Sequence, residues 1–264
     1  MKIQVSHESP LCLLDQSREY NDYCYALVHL FERYPQYYSH FRSSVLANRQ
    51  VLLDNSIFEL GTAFDSKSFV EWINMLEPTY YIVPDVLEDY KATVDNFMNF
   101  TEEYTNLPGL KIGAVQGKTY NEIANCYAFM ADAADYIAIS FDFSYYQTTG
   151  KGYTPLERMM HGRRRLIQTL IDDNIWCWDK PVHLLGCSLP QEFKFYVQQN
   201  IYNIRSVDTS NPIMAGIKGM RYASDLGLNS KPKGLLAEHL EVTLDADQIN
   251  LINYNIGAFK SIVS

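Results

Sequence analysis

The chain has 264 residues, 47% of them hydrophobic, and carries a formal net charge of -9 at pH 7. This length and composition allow one large hydrophobic core and are typical of a complete α/β barrel, so we expect a single domain over residues 1–264. The negative charge argues against nucleic-acid binding through the overall electric field. Any contact with phosphates must therefore be local.

The cysteines and the N-terminal segment predict a reduced, soluble, cytoplasmic protein that needs no metal or cofactor and does not contact membranes. No C-x-C or C-x-x-C pair is present to begin a zinc site or a redox motif. The opening MKIQVSHESP lacks the apolar stretch of a signal peptide, and no later run approaches the length of a membrane helix. The five cysteines are Cys12, Cys24, Cys126, Cys177 and Cys187.

Short apolar runs alternate with longer segments of helical spacing along most of the chain, which favours a parallel (β/α)8 TIM barrel. An open doubly wound sheet is the alternative, but no G-x-G-x-x-G follows any strand. The predicted strands are Ile3–Val5, Tyr25–Leu30, Gln50–Leu53, Thr79–Val83, Lys111–Val115, Tyr136–Phe141, Pro181–Gly186 and Ile204–Val207. The main predicted helices are Ser66–Leu76, Tyr90–Thr105, Tyr120–Ala133, Thr154–Asp173 and Gln191–Asn200.

The C-terminal part predicts a long loop followed by a closing helix. Residues 211–244 are rich in Gly, Pro, Lys and Ser, and predict a long loop that contains one short helix. Asp245 and Gln248 have the spacing of a helix-capping pair, so we expect a C-terminal helix to start there and to close the barrel.

Polar side chains follow several of the predicted strands, at the end where barrel enzymes place their active sites. A single Asp or Ser there is as readily a helix cap as a catalytic group, and the spacing of Ser188 and Gln191 predicts a cap for Ser188. Several carboxylates at one mouth instead indicate chemistry at a sugar carbon, and Asp and Gln can read a purine edge. These strand-end residues are Asp54, Asp85, Gln116, Asp142, Cys187, Ser188 and Asp208.

Four segments in order resemble motifs of the guanine transglycosylases, the family that includes queuine tRNA-ribosyltransferase. Their D-S-G-x-F-Q, V-Q-G, H-L-L-G and nucleophile-Asp motifs are similar to LLDNSIFELG at 52–61, GAVQG at 113–117, PVHLLGCSLP at 181–190 and RSVDTSNP at 205–212. The family replaces guanine by a 7-deazaguanine in tRNA or, in a subgroup, in DNA. The resemblance spans roughly residues 51–212 and implies a glycosyltransferase of the pentosyltransferase type.

The resemblance also implies roles for individual residues. Asp208 matches the nucleophile that attacks the ribosyl C1′ and forms a covalent intermediate, and Asp54 matches the acid/base group that deprotonates the incoming base. The implied base-binding residues are Asp85 and Gln116 at the base edge, Gly117 at a close backbone approach, Phe58 and Leu185 on the two base faces, and Ser140 and Phe141 in the pocket wall. Phe141 replaces a glycine of the family's A-I-G-G stretch, which leaves the identity of the base open.

The acceptor is inferred from a missing element. The tRNA-modifying members carry a zinc-bound C-x-C-x2-C insertion after the nucleophile strand, whereas no cysteine follows Cys187 here. We therefore expect the compact, zinc-less subgroup, often found in bacteriophages, which inserts a 7-deazaguanine such as preQ0 into DNA. The same exchange on tRNA and a non-catalytic, base-binding barrel are the alternatives. A metal-dependent barrel hydrolase is a further reading, but no His-x-His pair opens the chain.

Two groups of cations could contact nucleic acid. The triplet Arg163–Arg165 falls in a predicted outer helix and is expected to be solvated or ion-paired. A second group follows the nucleophile strand in a Gly-rich segment, and we expect it to bind phosphates. This group comprises Lys218, Arg221, Lys231 and Lys233. The oligomeric state is left open by the sequence.

Overall fold

The chain folds as a (β/α)8 barrel with a C-terminal helix, which confirms the predicted fold class. The computed structural model describes residues 2–223, 227–228, 230–232 and 234–263, so that the predicted phosphate ligand Lys233 lies outside the described residues. Eight parallel strands form one nearly closed sheet in the order β1-β8-β7-β6-β5-β4-β3-β2, with helices interleaved along the chain.

The strands are β1 Gln4–His7, β2 Cys24–Leu27, β3 Val51–Asp54, β4 Tyr80–Ile82, β5 Leu110–Val115, β6 Tyr136–Ser140, β7 Val182–Leu185 and β8 Ile204–Thr209. The helices are α1 Leu14–Tyr20, α2 His29–Arg33, α3 Pro35–Leu46, α4 Ile57–Leu60, α5 Ser66–Leu76, α6 Tyr90–Glu103, α7 Tyr120–Ala133, α8 Ser144–Thr149, α9 Pro155–Asp172, α10 Phe193–Gln198, α11 Asn211–Ile217 and α12 Ala246–Val263. Short 3-10 helices cover Leu11–Leu13, Pro190–Glu192 and Leu236–His239.

The chain divides into two compact units. The first unit comprises Met1–Asp22, Phe141–Asn174 and His183–Ser264, and the second comprises Tyr23–Ser140 and Ile175–Val182.

In the second unit, strands β2 to β6 pair in parallel in chain order, and the register places Leu27 opposite Asp54. Helix α7 packs closely over β5 because Gly113 has no side chain: a Cβ there would lie 2.4 Å from the sulfur of Met130. Helix α5 turns a fully buried apolar face inward, as its helical spacing of apolar residues predicts. That face consists of Phe69, Ile73 and Leu76.

In the first unit, β1 pairs with β8 so that Ser6 lies opposite Asp208. The predicted capping pair before α12 is confirmed, because the Gln248 N–H donates to Asp245 Oδ1 at 2.8 Å and the Asp245 N–H donates to Gln248 Oε1 at 3.2 Å. Helices α11 and α12 then share an apolar core, which anchors the C-terminal helix. Its buried members are Leu13, Ile213, Met214, Leu236, Ile252 and Ile256.

Three sequence predictions need correction. The strand predicted from Tyr25 to Leu30 ends at Leu27, because helix α2 begins at His29 and buries Leu30 on its own inner side. Residues 211–244 contain both α11 and the 3-10 helix Leu236–His239. Ser188 is not a helix cap: Leu189 is the extended residue before the 3-10 helix Pro190–Glu192, and the buried Ser188 hydroxyl has no hydrogen-bond partner among the described residues.

Candidate functional site

Asp54, the predicted acid/base group, is the last residue of β3 and is buried. The Tyr25 hydroxyl on the neighbouring strand β2 donates to Asp54 Oδ2 at 2.5 Å, and the Ser56 N–H donates to Oδ1 at 2.5 Å. Ser56 reaches this position with a left-handed backbone, at a φ of 61°. Both carboxylate oxygens are therefore held from the strand end, and Tyr25 is a partner that the sequence analysis did not identify.

Asp85 and Gln116, the two predicted readers of the base edge, are in direct contact. Gln116 Nε2 donates to Asp85 Oδ2 at 2.7 Å, and Asn55 Nδ2 donates to Asp85 Oδ1 at 2.8 Å. The Gln116 amide oxygen is fixed in turn by the Glu88 N–H at 2.8 Å, which settles the orientation of that amide. We call Asn55, Asp85 and Gln116 the Asp85 network.

The environment of Asp85 favours its neutral form. The side chain is buried, and burial raises the pKa of this carboxyl above its ordinary value, while the hydrogen bonds from Asn55 and Gln116 lower it in part. The thiol of Cys126 accepts the Gln116 N–H at 3.3 Å, and burial raises the pKa of this thiol to about 12. The Asp85 network is thus a buried polar cluster that shifts the pKa of its carboxyl group upward.

A cavity of about 380 Å³ within the second unit reaches the Asp85 network. Its walls come from residues 61–66 after α4 and from Pro84–Leu87, together with Asn96. Asp85 itself lines the cavity, so a ligand in it would meet a carboxyl group. Phe58, the predicted stacking residue, lies on α4 with 42% of its surface exposed.

The packing around Gly117 explains why this position is a glycine, independently of its predicted role in base binding. A Cβ at this position would lie 2.8 Å from both the backbone nitrogen of Ile123 and the Cβ of Glu122. The first turn of α7 therefore already requires glycine here, whether or not a base approaches the backbone.

Asp208, the predicted nucleophile, lies in β8 and is 4% exposed. The ring nitrogen Nε2 of His183 is 3.0 Å from Asp208 Oδ1, and the Gly186 N–H donates to the same oxygen at 3.1 Å. The other ring nitrogen, Nδ1, is 2.9 Å from the hydroxyl oxygen of Ser206. We call His183, Gly186, Ser206 and Asp208 the Asp208 network.

Arg163 of α9 stabilises the turn that supplies the Gly186 N–H. The guanidinium donates to the Leu185 carbonyl at 2.9 Å and to the Gly186 carbonyl at 3.0 Å. It also forms a fully buried ion pair with Glu192, at 2.6 Å from Nε to Oε1. The triplet Arg163–Arg165 was predicted to be solvated or ion-paired. The ion pair of Arg163 confirms this prediction, and its side chain is completely buried.

Phe141 and Gly186 fit against each other. Gly186 has a left-handed φ of 63°, and a Cβ there would lie 2.4 Å from Cδ1 of the Phe141 ring. The ammonium of Lys231 lies 4.2 Å from the centroid of the same ring. The Phe141 ring is therefore enclosed between a backbone turn and a cation.

The other predicted cations differ in their surroundings. Lys218 is exposed, and the Arg221 guanidinium lies 3.6 Å from the centroid of the Tyr254 ring while remaining exposed. Lys231 is partly buried, and burial lowers the pKa of its ammonium. Of the described members of this group, Lys218 and Arg221 are therefore the two that face solvent.

In the first unit, Gly186 donates a hydrogen bond to Asp208, and Arg163 binds the carbonyls of both Leu185 and Gly186. In the second unit, Asp85 and Gln116 share a hydrogen bond. Ser140 is the last residue of β6 and is partly buried. Asp54 and Asp208 belong to different units.

Comparison with known proteins finds that no protein-family model matches the chain and that no curated protein matches it significantly. Among the described helices, none combines the length and hydropathy of a membrane span. Across the described residues, the His, Cys, Asp and Glu side chains form no group of three that could hold a metal ion.

Proposed function

We propose that the protein is a guanine transglycosylase-like pentosyltransferase that exchanges guanine in DNA for a 7-deazaguanine such as preQ0. The observation that carries this proposal is the contact between Asp85 and Gln116. The two residues follow separate strands and lie 31 positions apart in the sequence, yet Gln116 Nε2 is 2.7 Å from Asp85 Oδ2. A carboxyl group beside an oriented amide offers the alternating acceptors and donors that a purine edge requires.

The proposed reaction has two displacements at the sugar C1′. In the first, the Asp208 carboxylate bonds to C1′ while the bond from C1′ to N9 breaks, and the guanine leaves with the electron pair and takes a proton from the Asp54 carboxyl. In the second, N9 of the incoming base gives its proton to the Asp54 carboxylate and attacks C1′. The bond to Asp208 then breaks, and the carboxylate is regenerated.

The locations of the two carboxylates support this assignment. Asp54 ends β3 and Asp208 is the next-to-last residue of β8, so each lies at the carboxyl end of its strand. Parallel barrels place their catalytic groups at these ends. Both residues are buried, and in such low-dielectric surroundings hydrogen bonds from neighbouring groups interact more strongly with a charge that develops during the reaction.

DNA is proposed as the acceptor because no cysteine follows Cys187, so the zinc-bound insertion of the tRNA-modifying relatives has no ligands here. An enzyme that exchanges a base in a duplex must first extrude it from the stack. In the described part of the second unit, the cavity lined by Asp85 and the partly exposed Phe58 are two features that could receive an extruded or free base.

The test is the incorporation of radiolabelled guanine into DNA and, in parallel, into tRNA, with D208N as the matched control. We expect label in DNA with the wild-type protein and none with D208N, because an amide cannot act as the nucleophile. Label in tRNA alone would overturn the choice of acceptor. Tight binding of base without incorporation into either nucleic acid would instead support a non-catalytic barrel.

A further inference from the structure

The imidazole ring of His183 contacts two residues of the neighbouring strand β8. It lies on β7 and is completely buried, and its two ring nitrogens contact Ser206 and Asp208 of β8. Because these partners are two residues apart on a strand, their side chains point to the same face. The imidazole therefore has a single orientation in which both nitrogens are used.

The two oxygens of Asp208 are not equivalent. His183 Nε2 and the Gly186 N–H both contact Oδ1, at 3.0 and 3.1 Å. Within the described part of the chain, no donor contacts Oδ2. Oδ1 thus accepts the hydrogen bonds that orient the carboxylate, whereas the lone pairs of Oδ2 are available to a reacting atom.

We propose that His183 is a positioning residue that selects Oδ2 of Asp208 as the attacking atom. A carboxylate can only accept hydrogen bonds, so the N–H at Nε2 of His183 donates a hydrogen bond to Oδ1. The Ser206 hydroxyl, whose oxygen is 2.9 Å from Nδ1, holds the other side of the ring and prevents it from turning over. This inference rests on the proposed function for the identity of the reaction.

The same contacts act in both displacements. When Oδ2 bonds to C1′ and the guanine departs with the electron pair of the broken C1′–N9 bond, Oδ1 becomes the carbonyl oxygen of the new ester. His183 and the Gly186 N–H still donate to it and withdraw electron density from the ester. The carboxylate is then a better leaving group when the incoming base attacks C1′ and the C1′–Oδ2 bond breaks.

Two amide substitutions separate this role from general packing. The side-chain nitrogen of glutamine can stand where Nε2 of histidine stands, whereas the shorter asparagine places its amide near Nδ1, beside Ser206 and out of reach of Asp208. We expect H183N to lower kcat for exchange by about 100-fold with little change in KM, as for the loss of one donor to an oxygen whose charge changes during the reaction. H183Q should retain a kcat at least about tenfold above that of H183N.

Equal losses in H183N and H183Q, with matching thermal stability, would overturn the proposal, and so would an unchanged kcat in H183N. A second readout does not depend on turnover. In the wild-type protein labelled with ¹⁵N-histidine, NMR should show a proton on Nε2 of His183, and an unprotonated Nε2 would overturn the proposal. If the wild-type protein exchanges no base, the proposed function fails, while the NMR result still decides whether His183 donates to Asp208.

Discussion

Asp85 shows how one buried side chain couples the candidate site to protonation. Its carboxyl is surrounded by amides that donate to both oxygens, and burial raises its pKa from the ordinary value of 3.8. A group whose pKa is higher in the folded than in the unfolded state stabilises the fold below the unfolded value, and this contribution is lost as pH rises through the folded value.

The D85N variant tests this coupling. Since the variant cannot ionise at this position, its free energy of unfolding relative to the wild type should increase as pH rises from about 4. The slope can reach about 1.4 kcal/mol per pH unit. Urea unfolding at a series of pH values measures it. Parallel curves for the two proteins would show that Asp85 keeps an ordinary pKa.

A sequence motif can identify a residue whose side-chain type by itself indicates its proposed role, such as a carboxylate or an amide at a strand end. Asp85 and Gln116 were both predicted to read the base edge. That role stays a prediction, and the structure shows that their side chains share a hydrogen bond. Asn55 and His183 lie inside the quoted motifs and were not assigned roles, because their partners are set by the register of neighbouring strands. Adjacent strands bring together residues far apart in sequence, so the motif around one residue does not identify its partner on the neighbouring strand.

At the scale of elements, helix α9 supports the turn after β7 through a buried ion pair. Arg163 and Glu192 are both fully buried, and the guanidinium also binds the carbonyls of Leu185 and Gly186. Removing one member leaves the other charge buried without its partner, which costs more than the intact pair contributes.

We therefore expect R163M to lower the free energy of unfolding by about 3–5 kcal/mol. The double variant R163M/E192Q removes the charge left behind and should recover part of this loss. Chemical denaturation of both proteins provides the measurement. A double variant no more stable than R163M would contradict the account of an uncompensated buried charge.

Element boundaries illustrate what the sequence could predict in this fold. The capping pair Asp245 and Gln248 was predicted and confirmed, because its hydrogen bonds are local. The predicted cap at Ser188 is wrong although its spacing is the same, because Pro190 starts a 3-10 helix one residue later and Leu189 takes the capping position. Capping patterns are therefore informative only where no neighbouring proline sets the helix start.

At the scale of the whole molecule, the net charge of -9 opposes approach to DNA, so the DNA binding that we propose must depend on local cations. Lys218 and Arg221 are the exposed members of the predicted phosphate-binding group that the structure describes. Each phosphate contact contributes about 0.9 to the slope of log K against log salt concentration.

The double variant K218Q/R221Q should reduce the magnitude of that slope by up to about 2 units and weaken binding to all DNA sequences about equally. The matched control is K67Q/K91Q, which changes the net charge by the same amount on exposed positions of helices α5 and α6. Fluorescence anisotropy at several salt concentrations distinguishes them. Equal slopes in the two double variants would exclude a local role for Lys218 and Arg221.

The proposed base exchange requires Asp208 to form a covalent bond with the sugar of the exchanged nucleotide. Incubation of the protein with DNA, followed by denaturation, proteolysis and peptide mass spectrometry, detects such a bond. We predict a DNA adduct on the peptide that contains Asp208, which is absent in D208N. Base exchange without such an adduct, or an adduct on a different residue, would contradict the assignment.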